Sequence, residues 1–230
     1  EARTHLGGLL RVEGEVSWQK QLSWQLATQW SRVNMAKQWP VLKSYLPSLS
    51  GIMNTQGTAS ASQSQLTLDA KWANQEQWQL KQHSQGWFWQ WQNKQKIDAK
   101  WQNIQRNIVG LGQIDSKNGQ LDYQGIPQRY TLNLAAHLHN AKIPEGHYLV
   151  KGQGSTHELA FKQAHYQGEI GNITAQGQVS WLKGLAWQAQ LQLDNVKSRT
   201  WLPTWPAIIS GQTHMTGQWQ AQNKQLQLGN

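Results

Sequence analysis

Only 14% of the 230 residues are charged and 38% are hydrophobic, so solubility in water must rest on neutral polar groups, chiefly glutamine. The absence of cysteine excludes thiol catalysis and Cys-based zinc sites, and no apolar run reaches the length of roughly 18 residues that a membrane-spanning helix needs. The net charge of +9 comes from basic residues scattered singly, which does not favour nucleic acid as a partner.

The first predicted elements belong to a module that occurs twice. Its Gly-x-Val-Ser-Trp start, with a following Leu-x-Trp, spans Gly14–Gln25 and recurs with the same spacing in Gly177–Gln188. Each copy continues through a Trp- and Pro-containing connection to a Ser-Gly pair, Ser50-Gly51 or Ser210-Gly211. We therefore interpret residues 1–230 as one continuous β-repeat segment of a longer protein, with copy one at about 9–60, intervening strands at 61–170 and copy two at about 171–230.

Between and within the copies, apolar residues alternate with polar ones, the pattern of a strand with one sheltered face. In chain order the alternating runs are Leu66 to Trp72, Trp87 to Trp91, Ile97 to Trp101, Leu132 to Leu138, Leu159 with Phe161, and Leu185 to Leu193. Turn residues such as Gln85-Gly86, Asn118-Gly119 and Glu145-Gly146 separate them and favour antiparallel neighbours.

These patterns predict an all-β fold: an elongated, curled antiparallel sheet, forming a taco-like or solenoid-like trough, with at most one or two short helices. The helical candidates are Ser31 to Gln38 and Val41 to Tyr45, which Pro40 and Pro47 limit in length. Since only one face of each strand is apolar, the sheet must fold over on itself, pack against a second sheet or hold a ligand to cover that face.

The residues that we predict to line such a groove are the large apolar ones on the sheltered face. They are Leu66, Leu68, Trp72, Trp87, Trp89, Ile97, Trp101, Leu132, Leu134, Leu138, Leu159, Phe161, Trp187, Leu191 and Leu193. A register error of one residue would exchange the two faces, so the sequence leaves the orientation open.

Catalytic and metal-binding patterns are weak. The 12 acidic residues form no pair spaced for acid–base chemistry, and there is no G-x-S-x-G motif, so we expect a protein that is not an enzyme. His137 and His139 would share a strand face and His147 follows across a turn, but no acidic partner is near in the sequence. We favour solvent-facing histidines over a metal site and expect no cofactor.

The repeated unit resembles that of the TamB family, part of the AsmA-like group. The resemblance is clearest in Gly177 to Trp187, Trp205-Pro206 and Ser210-Gly211, and the segment Gly154 to Leu159 is similar to the family's Gly-x-x-x-His-x-Leu element. It implies a periplasmic protein of Gram-negative bacteria, anchored in the inner membrane by parts outside this chain. It also implies an Omp85-type outer-membrane partner resembling TamA, reached through another segment, and a taco-shaped sheet that passes phospholipids between the membranes.

Three functions remain open at this point. The leading interpretation is a conduit that binds phospholipid acyl chains along an apolar groove. The alternatives are a scaffold or chaperone for outer-membrane protein assembly, which would use exposed sheet edges, and a polysaccharide-binding β-module, in which tryptophans such as Trp89 stack on sugars.

Overall fold

The computed structural model describes residues 2–3, 7–37, 47–72, 74–87, 90, 92–108, 112–141, 143–182, 184–198, 204, 207–220 and 225–229. Strands dominate these residues. They are β1 Ala2–Arg3, β2 Leu9–Ser17, β3 Ser23–Asn34, β4 Ser48–Thr58, β5 Ser62–Lys71, β6 Gln77–Gln85, β7 Gln95–Ile108, β8 Gly112–Ile126, β9 Arg129–His139, β10 Gly146–Gly154, β11 Glu158–Gly168, β12 Gly171–Ser180, β13 Leu185–Lys197, β14 Ile208–Gln220 and β15 Gln225–Gly229.

The 15 strands are hydrogen-bonded in the order in which they follow along the chain. The neighbours from β1 to β7 and from β9 to β15 pair in antiparallel fashion. This order follows from short connections, because a strand that ends in a tight turn pairs with the next strand along the chain. The predicted all-β, antiparallel fold is therefore confirmed.

The chain forms two compact units. The first comprises Glu1–Gln105 with Gln120–Ile126, and the second comprises Arg106–Gly119 with Pro127–Asn230. Strand β8 contributes its two halves to different units. Copy one of the repeat therefore lies in the first unit and copy two in the second.

Alternating side chains set the register within each unit. In β5, Gln63, Gln65 and Thr67 are exposed, whereas Leu66 and Leu68, which alternate with them, are partly covered. The same alternation runs through the neighbouring strands, and directly opposed residues in a sheet lie on the same face. Each unit thus has one sheltered face and one face toward water.

Both copies of the repeat contain the same backbone irregularity near the end of a long strand. In β3, two residues, Ser31 and Arg32, lie opposite the single residue Ser50 of β4. Arg32 is left-handed with φ of 54°, and the Ser50 hydroxyl accepts a hydrogen bond of 3.0 Å from its backbone N–H. In copy two, Asn195 has φ of 53° and its N–H donates to the Ser210 hydroxyl, also at 3.0 Å. The repeated Ser-Gly pair therefore supplies the cap of a β-bulge.

Three local predictions need correction. A helix over residues 31–38 is wrong, because the bulge lets β3 keep its pairing to Asn34, and only Met35–Lys37 form a 3-10 turn. Asn118 and Gly119 lie inside β8, not in a turn. Trp87 follows the end of β6 at Gln85, so it does not belong to a strand. The second helical candidate, residues 41–45, lies outside the described residues.

Buried apolar side chains are few among the described residues. They are Ala70, Ala99, Ile104, Ala136, Tyr166, Ile170 and Val196. Most of the large aliphatic and indole side chains on the sheltered faces are half-buried. A compact domain hides most of its large apolar residues, so the described residues of each unit do not by themselves form a conventional filled core.

Candidate functional site

The sheltered face of the first unit crosses six neighbouring strands, β2 to β7. Leu66 lies opposite Met53 of β4 and Gln82 of β6, and Leu68 lies opposite Leu80 of β6. The next pairs in the register add Trp78 opposite Trp101, whose ring centroids are 5.7 Å apart. The apolar members of this face, which we call the first apolar face, are Leu10, Val12, Val16, Trp24, Leu26, Trp30, Val33, Leu49, Met53, Leu66, Leu68, Ala70, Trp78, Leu80, Ile97, Ala99 and Trp101.

The second unit repeats this arrangement across β9 to β14. Leu134 lies opposite Val150, which in turn lies opposite Ala164 of β11. The second apolar face consists of Tyr130, Leu132, Leu134, Ala136, Leu138, Tyr148, Val150, Leu159, Phe161, Ala164, Tyr166, Ile173, Ala175, Val179, Trp187, Ala189, Leu191, Leu193, Val196, Ile209 and Met215. Its strands contribute glycine or threonine where they do not contribute an apolar side chain.

The opposite faces are polar and exposed. Glu15, Gln25, Gln56, Gln63 and Gln85 form one continuous cross-strand row from β2 to β6. In the second unit Gln176 donates a 2.6 Å hydrogen bond to Gln190 of the neighbouring strand. Amide side chains can bond to each other and to water at once, so they keep this face hydrated with little charge.

The structure places the predicted groove residues as follows. Leu66, Leu68, Ile97 and Trp101 lie on the first apolar face, and all are half-buried. The residues predicted in the second unit lie on the second apolar face, also half-buried: Leu132, Leu134, Leu138, Leu159, Phe161, Trp187, Leu191 and Leu193. Trp72 and Trp87 lie just beyond the ends of their strands, and Trp89 is outside the described residues.

Polar side chains interrupt the first apolar face at one end of its strands. Thr55, Ser64, Ser84 and Gln95 are at most 5% exposed, and with Gln82 they form what we call the polar band. Gln82 donates a 2.9 Å hydrogen bond to Gln95, and both serine hydroxyls donate to the backbone carbonyl of residue 86. The sequence analysis missed this band, although its residues occur at apolar positions of the alternating pattern.

The second apolar face also carries buried polar groups, the hydroxyls of two tyrosines. The rings of Tyr148 and Tyr166 are 4.9 Å apart, and the Tyr148 hydroxyl donates a 2.7 Å hydrogen bond to the Pro144 carbonyl. The Tyr166 hydroxyl donates to the Glu145 carbonyl at 2.9 Å. Burial raises the pKa of Tyr148 to about 12, with a smaller contribution from Tyr166. These phenols therefore remain neutral donors at physiological pH.

A cluster of titratable groups lies on the water-facing side of the second unit. The ring centroids of His137 and His147 are 4.9 Å apart. The carboxylate of Glu145 lies 3.5 Å from Nε2 of His137 and 3.8 Å from Nδ1 of His139. A hydrogen bond and the charge of Lys117, 2.9 Å away, hold the pKa of Glu145 below its usual range. The turn thus supplies the acidic partner that the linear sequence did not place there. Across the described residues, no group of three or more His, Cys, Asp or Glu side chains is arranged to hold a metal ion.

Comparison with protein families identifies the chain. Residues 58–230 match the family model described as TamB, N-terminal domain, and this is most of the chain. The chain belongs to the TamB family. The match includes copy two of the repeat and all of the intervening strands, whereas copy one precedes it almost entirely. No solved structure matches the chain.

Membership in the TamB family makes this a bacterial envelope protein. Within the described residues, no helix combines the length and the apolar character needed to cross a membrane. The family resemblance that the sequence motifs indicated is therefore confirmed.

Proposed function

We propose that this TamB segment is a non-enzymatic part of a periplasmic conduit, in which the two apolar faces bind the acyl chains of phospholipids that pass between the inner and outer membranes. The observation that supports this proposal is that each face is apolar across six strands, while most of its large side chains are only half-buried. Acyl chains would supply the missing cover.

Energetics support a ligand on these faces. An apolar side chain the size of leucine gains about 1.5–3 kcal/mol when it is fully removed from water. On the second apolar face Met215 is 39% exposed, and on the first face Val12 and Val16 are 55% and 48% exposed. Soluble proteins rarely expose large continuous apolar areas unless these bind something. Lipid chains fit, because they require no directional contacts.

The test is a matched pair of substitutions in β9. Leu134→Asp places a charge on the second apolar face, whereas Thr131→Asp places the same charge on the water-facing side of the same strand. We expect the purified Leu134→Asp protein to carry far less co-purified phospholipid, by native mass spectrometry and lipid extraction, and to transfer fluorescent phospholipid between vesicles more slowly. Thr131→Asp should resemble the wild type. Equal lipid content in both variants, or a lipid-free wild type, would refute the proposal.

A second candidate function is a scaffold that assembles outer-membrane proteins by adding a client strand to a sheet edge, in concert with an Omp85-type partner bound through another segment. One observation favours it: within the described residues, β2 pairs with β1 only at Leu9 and Leu10, so Arg11–Ser17 have no strand partner on that side. A photo-crosslinker at Glu13 should then capture protein. Under the conduit proposal, a crosslinker at Leu134 should capture lipid.

A further inference from the structure

A cavity of about 670 Å³ lies in the first unit, where β4 turns into β5 and the chain leaves β6. Its volume is in the ordinary range for small-ligand sites. Two indoles line it: Trp24 of β3 and Trp87, which follows β6. Their rings stack with centroids 5.6 Å apart and planes 8° from parallel. The cavity therefore offers a flat aromatic wall.

The rest of the wall is made of neutral hydrogen-bonding groups. None of the described residues that line the cavity carries a charge, although the whole chain has a net charge of +9. The polar lining side chains are five amides and three hydroxyls, namely Gln56, Gln63, Gln85, Gln90, Asn93, Thr58, Ser60 and Ser62. Such a surface can donate and accept hydrogen bonds in equal measure.

The lining amides differ in the side of the sheet that they face. Gln56, Gln63 and Gln85 belong to the water-facing row described above, so their side chains border the cavity from the side of the sheet away from Trp24. Gln90 uses only its amide oxygen, which accepts from the Asn93 amide at 2.9 Å and the Trp87 backbone N–H at 3.3 Å. Its amide nitrogen remains a donor toward the cavity.

The cavity is held in shape by buried polar contacts. Gln95, which is 1% exposed, donates a 3.0 Å hydrogen bond to the Gln90 carbonyl. Gly86 donates to the Ser62 carbonyl at 2.7 Å and accepts from Ser64, which is 2% exposed. Gly86 has φ of 102°, a backbone conformation that glycine adopts without the strain that a Cβ would cause. The polar band thus fixes the segment that carries Trp87, and the site is formed before a ligand arrives.

We propose that this cavity binds a neutral oligosaccharide. An anionic ligand would require cations in the wall, and an acyl chain would leave the amides without partners. A sugar matches both parts, since its hydroxyls donate and accept while its apolar C–H face packs against an indole. Trp24 also belongs to the first apolar face, so the site adjoins that face, but its neutral polar lining distinguishes it in chemistry. In this proposal the tryptophans that stack on the sugar are Trp24 and Trp87, whereas the sequence had suggested Trp89.

The experiment is calorimetric and fluorescence titration of the whole 230-residue chain with chitotetraose and maltotetraose. Trp87→Ala and Gln90→Ala should each weaken saccharide binding by about tenfold or more, a loss of about 1.4 kcal/mol in binding free energy. Trp101→Ala is the matched control, because Trp101 is also paired with an indole but does not line the cavity. It should leave saccharide affinity unchanged.

Far-UV circular dichroism of each variant establishes that the protein is still folded, and the lipid content of Trp87→Ala and Gln90→Ala establishes that the apolar faces still work. If neither oligosaccharide binds saturably, the proposal is overturned. It is equally overturned if Trp87→Ala binds sugar as the wild type does, or if the short-chain phospholipid dihexanoylphosphatidylcholine competes for the cavity while the sugars do not. Retained lipid binding with loss of sugar binding in Trp87→Ala would support it.

Discussion

Replacing Gly217 by alanine tests the packing of the second apolar face. Gly217 lies opposite Trp187, and the three atoms nearest to a methyl group at position 217 would all belong to the Trp187 ring, with even the third, Cη2, only 2.8 Å away. The indole therefore lies flat over the glycine and must move to admit a Cβ. Overpacking of this kind costs about 1–3 kcal/mol, so Gly217→Ala should lower the free energy of urea unfolding by that amount.

A double-mutant cycle separates this clash from a general effect of alanine in a strand. In a Trp187→Ala background the ring is gone, so Gly217→Ala should be nearly neutral or should stabilise the protein by up to about 1 kcal/mol. Unfolding is followed by far-UV circular dichroism, and displacement of the indole by near-UV circular dichroism. The same destabilisation in both backgrounds would refute the placement of Trp187 over Gly217.

Three further predictions concern single contacts. Ser50→Ala removes the acceptor for the backbone N–H of Arg32 and should cost about 1 kcal/mol in urea unfolding; no loss would show that water replaces the cap. Lys117→Met should raise the pKa of Glu145 in an NMR titration, because Lys117 is the main cause of its lowering; an unchanged pKa would exclude this ion pair. The pKa of Tyr148 is higher in the folded state, at about 12, than the ordinary 10.0, so its contribution to stability is complete below pH 10 and is lost as pH rises toward 12. Tyr148→Phe should therefore show a shallower loss of stability over that range, and an equal slope would contradict the assignment.

The class of fold could be predicted because a period of two is directly visible in the sequence. The alternation at Leu66 and Leu68, and again at Leu191 and Leu193, assigned these residues correctly to one face. Turn chemistry was a weaker guide, as Asn118-Gly119 shows. That dipeptide favours a tight turn in isolation, but pairing on both sides of a long strand outweighs a local preference.

The polar band and the cavity could not be predicted because they depend on contacts between distant residues. Ser64 and Ser84 occupy sheltered positions of their strands, where the pattern alone leads us to expect an apolar side chain. Their hydroxyls are satisfied by a backbone carbonyl that reaches them only after the chain has left β6. Likewise, the partner of Trp24 is Trp87, far along the sequence, and no periodicity relates the two.

The feature that repeats most faithfully in this chain is a backbone conformation. Arg32 and Asn195 occupy equivalent left-handed positions, and a third residue in the same conformation, Asn103 with φ of 55°, occurs in β7 outside both sequence copies. Each is followed by a branched apolar residue. Two of these following residues are buried: Ile104, after Asn103, is 8% exposed, and Val196, after Asn195, is fully buried. This backbone conformation requires only a positive φ at one residue and a sheltered residue after it, so it places little restriction on the other side chains. The other side chains of the apolar faces are therefore free to vary, while the bulges at Arg32 and Asn195 keep the strands in register.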